Sequence, residues 1–158
     1  MSRPQRLPGF AYRGPYRYFL TFCTHERRPT FRDPAVVALV RLQFLRTARL
    51  TRFAILAFCV MPDHAHLLVE GRTEQSDLRR FVKHFKQGSG QRCTARVGGR
   101  LWQDGCYERV LRPGDDAKAF ARYIIENPVR AGLARTPREY PHLGSSVWSV
   151  DELIDSVR

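Results

Sequence analysis

The plainest pattern of apolar and polar positions is an alternation over residues 64–70, broken only at Leu68. His64, His66, Leu68 and Glu70 share one side of an extended chain, and Ala65, Leu67 and Val69 share the other, because strand side chains repeat with period two. Just upstream, RFAILAFCVM (52–61) is almost wholly apolar and of strand length, as expected of a central strand covered on at least one face. Pro62-Asp63 between them is short enough only for a tight turn, so an antiparallel hairpin is expected. An earlier run, Tyr16 to Thr24, is dense in aromatic and β-branched residues and predicts a first strand.

The helical period appears three times. Asp33-Pro34 has the form of an N-cap followed by a first-turn proline, and Val36, Val37, Val40 and Phe44 carry the stripe to about Ala48. Leu78, Phe81, Val82 and Phe85 mark a second helix. A third starts from Asp115 or Asp116 and runs from Ala117 to about Glu126, with Pro128 predicting an end near Asn127. Between the last two, Leu101 to Gln103 and Cys106 to Leu111 supply a fourth strand. The four glycines and three arginines of Gly88 to Arg100, without regular apolar period, predict a mobile basic loop. Residues 1–15 read as a basic N-terminal arm, and 134–158 as a C-terminal tail ending in a short acidic helix, all on one domain of 158 residues.

Charge narrows the class of partner. With 27 Lys plus Arg against 15 Asp plus Glu, the net charge is +12, and a polyanion is the expected partner. Arg79, Arg80, Lys83 and Lys86 on the second helix, with Arg92, Arg96 and Arg100 in the glycine-rich stretch, are the candidate DNA-binding residues. Tyr12, Tyr16 and Trp102 are candidates for stacking on bases. The four cysteines form no C-x-x-C pair, so neither a zinc knuckle nor a redox dithiol is indicated, and a reducing cytoplasm is the expected compartment. No segment has the run of about 20 apolar residues that a membrane helix needs.

Two constellations carry candidate chemistry. Same-face histidines at 64 and 66 can share a metal ion; taken by spacing alone, they could equally be ordinary surface histidines. Tyr123 and Asn127, four apart at the edge of the third helix's apolar stripe, lie on one face. Spacing leaves open that Tyr123 is a core-edge aromatic and Asn127 a helix cap.

The sequence Met61-Pro62-Asp63-His64-Ala65-His66, followed by Tyr123 to Leu133 (YIIENPVRAGL), resembles the single-tyrosine HUH transposases, in particular the REP-associated tyrosine transposases of bacteria. Leu101-Trp102-Gln103 and Tyr107-Glu108-Arg109 support the likeness. The resemblance implies an α+β fold with a ferredoxin-like antiparallel sheet and helices on one face. It implies metal-dependent nicking and strand transfer of single-stranded or hairpin DNA through a 5′-phosphotyrosine. His64, His66 and Asn127 would be the metal ligands, Tyr123 the nucleophile and Mg²⁺ or Mn²⁺ the cofactor, in a monomer or homodimer. The alternative is a hairpin-binding regulator of the same fold that does not cut.

Overall fold

A computed structural model describes residues 6–158. Five antiparallel strands form one sheet in the order β4-β1-β3-β2-β5: β1 (Arg17–Cys23), β2 (Phe53–Met61), β3 (His64–Gly71), β4 (Tyr107–Val110) and β5 (Leu143–Gly144). The helices are α1 (Pro34–Thr51), α2 (Leu78–Val97), α3 (Ala117–Arg130) and α4 (Val150–Ser156). The α+β fold and the central hairpin are as expected from the sequence, with β3 between β1 and β2.

Alternation on the strands builds two cores, one on each face. Tyr18, Leu20 and Phe22 of β1 and Ala65, Leu67 and Val69 of β3 join residues of α1 and α2. Phe19, Leu68 and Cys59 point the other way, against Ile124 and Ile125 of α3 and Leu153 and Ile154 of α4. Helices α1 and α2 therefore share one face and α3 and α4 the other, whereas helices on one face were expected. The C-terminal helices cover the second face because it too is apolar wherever β2 and β3 are central. In β2 a bulge between Ile55 and Ala57 shifts the register. Without it the period of two would turn Phe58 and Val60 away from the first core. Ser146 serves the bulge, its hydroxyl accepting from the Ile55 N–H at 2.8 Å and its own N–H donating to the Ile55 carbonyl.

Asp33 accepts from the Ala35 N–H, and α1 runs to Thr51, three residues beyond the expected end at Ala48, where a left-handed Arg52 caps it. The larger departure is α2. The stretch expected to be a mobile loop is helix as far as Val97, capped by a left-handed Gly98. Its buried residues, Ser89 and Cys93, continue the four-residue spacing of Phe81 and Phe85, with small side chains that hydropathy alone hides. Gly88 explains why they are small: a Cβ there would stand 2.4 Å from the Gln43 amide of α1, so the two helices touch closely. Gln43 is held in turn by Arg92 and Thr47.

Helix α3 also runs past its expected end, with Pro128 inside it. An interior proline costs about 3 kcal/mol. Burial of Ala121, Ile124, Ile125 and Pro128 against the sheet outweighs that, since a large apolar side chain gains about 1.5–3 kcal/mol on burial. Asn127 is consequently not a cap. Of the expected N-terminal arm, residues 1–5 lie outside the described part; Tyr12 is buried in the first core and Arg13 pairs with Asp77. Trp102 is buried as well, its Nε1 donating to Ser89 Oγ. Neither Tyr12 nor Trp102 can stack on a base; Tyr16 is exposed.

Candidate active site

His64 and His66 occupy β3 opposite Cys23 and Thr21 of β1, on the face covered by α3. Their rings are 4.7 Å apart. Each Nδ1 is already engaged: His64 with Asp63 Oδ1 at 2.7 Å, His66 with Thr21 Oγ1 at 2.8 Å. If those nitrogens carry the protons, each Nε2 lone pair remains for a ligand. His66 is buried, stacked 5.5 Å from Phe19. Burial, reinforced by His64, Arg130 and Arg27, pushes its protonation down to about 3, so it is a neutral imidazole. Asp63 is partly buried, which opposes ionisation, yet the His64 hydrogen bond and the Arg27 charge outweigh this and hold its carboxyl below the usual range.

Tyr123 approaches from α3, its ring 5.7 Å from that of His66 and 6.0 Å from Phe19. At 41% exposure it is open to solvent. Arg130 lies over the phenol ring at 4.2 Å and donates to the Tyr123 carbonyl, which limits the ring's freedom. Asn127 follows one turn after Tyr123. Together with Thr21, Cys23, Arg27 and Tyr107, the residues His64, His66, Tyr123 and Asn127 line one cleft of about 550 Å³. Thus a histidine pair from the middle of the chain and a tyrosine from its last third, separated by 57 positions or more, share one cavity.

The model of the family described as IS200-like transposases matches residues 14–127. This chain belongs to that family. It is 25% identical over 138 residues to a Haemophilus influenzae protein named as a REP-associated tyrosine transposase, covering 79% of this chain and 77% of the relative. To the REP-associated tyrosine transposase of Escherichia coli K12 it is 27% identical over 107 residues, 65% of this chain and 61% of that one. Its fold matches a REP-associated tyrosine transposase bound to a REP hairpin, with TM-score 0.73 and 23% identity over 90% of this chain and 82% of the other. A Deinococcus radiodurans protein assigned as a transposase gives TM-score 0.52 and 26% identity, over 78% and 97% respectively. No helix among the described residues is long and apolar enough to cross a membrane.

The candidate DNA-binding residues do not gather at this cleft. Helix α2 packs on the other face of the sheet, where Arg79 lies by Tyr12, Arg92 donates to Gln43 and Arg96 pairs with Asp33. Arg80 and Lys83 are exposed on the same helix. Lys86 reaches the Gln103 and Gly105 carbonyls, and Arg100 pairs with Asp104, so these two brace the loop whose Gln103 and Asp104 border the cleft. Sequence reasoning missed Thr21, Asp63, Arg27 and Arg130. Asp63 could have been found, since it stands beside His64; Thr21 meets His66 only through strand register.

Proposed function

We propose that this transposase-family protein cuts and rejoins single-stranded DNA by nucleophilic attack of Tyr123, the substrate strand lying in the cleft between α3 and the histidine pair. The observation that carries the reading is the shared cavity: a solvent-open phenol beside two pinned imidazoles. A protein that only bound hairpins would have no need of that conjunction.

Tyr123 Oη attacks phosphorus and gives up its proton to solvent. The bond from phosphorus to the 3′ oxygen breaks, and that oxygen takes a proton and leaves as a 3′-hydroxyl. The 5′-phosphate stays on the tyrosine. A phenolate departs more easily than an alkoxide, so the reverse attack by a 3′-hydroxyl rejoins the strand without an external energy source. With their protons on Nδ1, toward Thr21 and Asp63, the two imidazoles would leave Nε2 available, and Asn127 lines the same cleft with an amide oxygen to offer. His64, His66 and Asn127 would be the donors, two imidazoles and one amide; among the described residues no group of three or more His, Cys, Asp or Glu could hold an ion. That neutral N/N/O set would permit Mn²⁺ or Mg²⁺. Such an ion supplies Lewis acidity, neutralising charge that builds on the phosphate.

Beside the cleft, and sharing Tyr107 and Tyr123 with it, is an apolar hollow of about 270 Å³ walled by Phe19 and Phe120. Its aromatic wall suits an unpaired base better than a duplex, because a base in a duplex is already stacked. The relative bound to a REP hairpin supports hairpin-forming DNA as the substrate class. The test is to incubate the protein with labelled hairpin-bearing single strands and a divalent ion, then separate products in SDS. A labelled protein band is expected from the wild type and none from Tyr123→Phe; equal adduct from both would reject the assignment.

A further inference from the structure

Eleven residues line the cleft, and Arg27 alone among them is a lysine or arginine. Nothing in the sequence pattern singles it out, because it sits in the turn between β1 and α1. Its setting does. Both Glu26 (φ 54°) and Arg27 (φ 56°) have left-handed backbones, a region that residues with a long side chain seldom enter even singly. The turn is pinned in that shape by the His25 N–H on the Leu101 carbonyl and the Arg27 N–H on the Thr24 carbonyl. The guanidinium is then fixed at two points, Nε donating to Asp63 Oδ2 at 3.0 Å and Nη1 to Cys23 Sγ at 2.9 Å. Asp63 uses its other oxygen on His64. Arg27 and His64 are therefore held by the same carboxylate, and the Arg27 side chain, 53% exposed, is among those that line the cleft.

A backbone in a sparsely populated conformation persists where its surroundings over-determine it, and such places concentrate at functional sites. A planar guanidinium is the side chain best matched to phosphate oxygens, and Nη2 is left without a protein partner among the described residues. We propose that Arg27 is a catalytic residue: its Nη2 donates to a non-bridging oxygen of the phosphate that Tyr123 attacks, opposing the negative charge that grows there during attack. This rests on the tyrosine-attack reading above. It also gives Asp63 a double task, orienting the imidazole with one oxygen and the guanidinium with the other.

The experiment uses the full chain, with Arg27→Asn, which tolerates the left-handed backbone, and Arg27→Lys, which keeps the charge without the fork. On ordinary DNA, adduct formation by Arg27→Asn is expected to fall about 100-fold or more, as when one donor of an oxyanion hole is removed, with Arg27→Lys between it and the wild type. A second measurement needs neither turnover nor metal. In a Tyr123→Phe background with chelator, binding is compared between an unmodified strand and one carrying a neutral methylphosphonate at the scissile position. Neutralising the phosphate should weaken binding about tenfold when Arg27 is present and leave it unchanged in Arg27→Asn, the size expected for a hydrogen bond to a charged group. Equal weakening in both backgrounds, or an Arg27→Asn adduct formed as fast as wild type, overturns the role of Arg27 while the tyrosine reading stands. If wild-type protein makes no adduct at all, the tyrosine reading fails and Arg27's role fails with it.

Discussion

Replacing Thr21 by Val tests whether the site depends on a side chain that never meets the substrate. The two residues are nearly isosteric, so the β1 backbone and the packing around Phe19 are preserved, and only the hydroxyl 2.8 Å from His66 Nδ1 is lost. His66 is 3% exposed, so water cannot take over that bond without rearrangement. A buried polar group left unpaired costs about 1–3 kcal/mol. For a chain of this length each kcal/mol moves Tm by about 2–4 °C, which gives a drop of several degrees in metal-free protein. A second effect follows from the tautomer. Without the hydroxyl, nothing favours the proton on Nδ1, and the fraction of His66 presenting an Nε2 lone pair to an ion falls. Loss of such an orienting partner typically weakens metal binding about 10–100-fold. Calorimetric unfolding with chelator and Mn²⁺ titration followed by electron paramagnetic resonance read the two effects separately. A Thr21→Val protein with wild-type Tm and wild-type Mn²⁺ affinity would refute the claim that Thr21 sets the imidazole.

Gly88→Ala should destabilise by about 1–3 kcal/mol through overpacking against Gln43, and Gln43→Ala in the same chain should recover part of the loss, as chemical denaturation of the two variants and the double variant would show. Phe120→Ala should weaken binding of single-stranded DNA by about 1–3 kcal/mol, the value of one stacked base, while adduct formation at saturating DNA changes little; unchanged affinity in fluorescence anisotropy removes the base from the hollow. Chelator should abolish adduct formation. Mn²⁺ should restore it at lower concentration than Mg²⁺, because imidazole nitrogens suit the softer ion, and the opposite order would argue against histidine ligation.

Elements set by local pattern were legible in the sequence. The alternation on β3 assigned His64 and His66 to one side and Ala65, Leu67 and Val69 to the other; the last three lie in the first core, while the His66 ring stacks on Phe19 of the second. Asp33 caps α1 and Asp116 caps α3 because a short acidic side chain at a helix start has few better uses. What sequence reasoning missed depends on contacts between distant segments. The second half of α2 looked like a loop because its buried residues are Ser89 and Cys93, chosen for a close helix contact rather than for hydropathy. Pro128 was read as a stop, though burial of its own ring and of its neighbours carries the helix through it. Tyr12 and Trp102 looked available to DNA until the folded chain enclosed them. At the site, type and spacing left His64, His66, Tyr123 and Asn127 open to ordinary roles, and the family resemblance singled them out; the fold brings all four to one cleft. Arg27 could not, since its importance arises from a left-handed turn and a carboxylate 36 positions away.

Digesting the covalent protein-DNA product and sequencing the modified peptide by mass spectrometry locates the bond between protein and strand directly. Attack by the Tyr123 phenol predicts a nucleotide joined through its 5′-phosphate to that residue, with the other fragment ending in a free 3′-hydroxyl. A nucleotide on any other residue, or one linked through a 3′-phosphate, would contradict it.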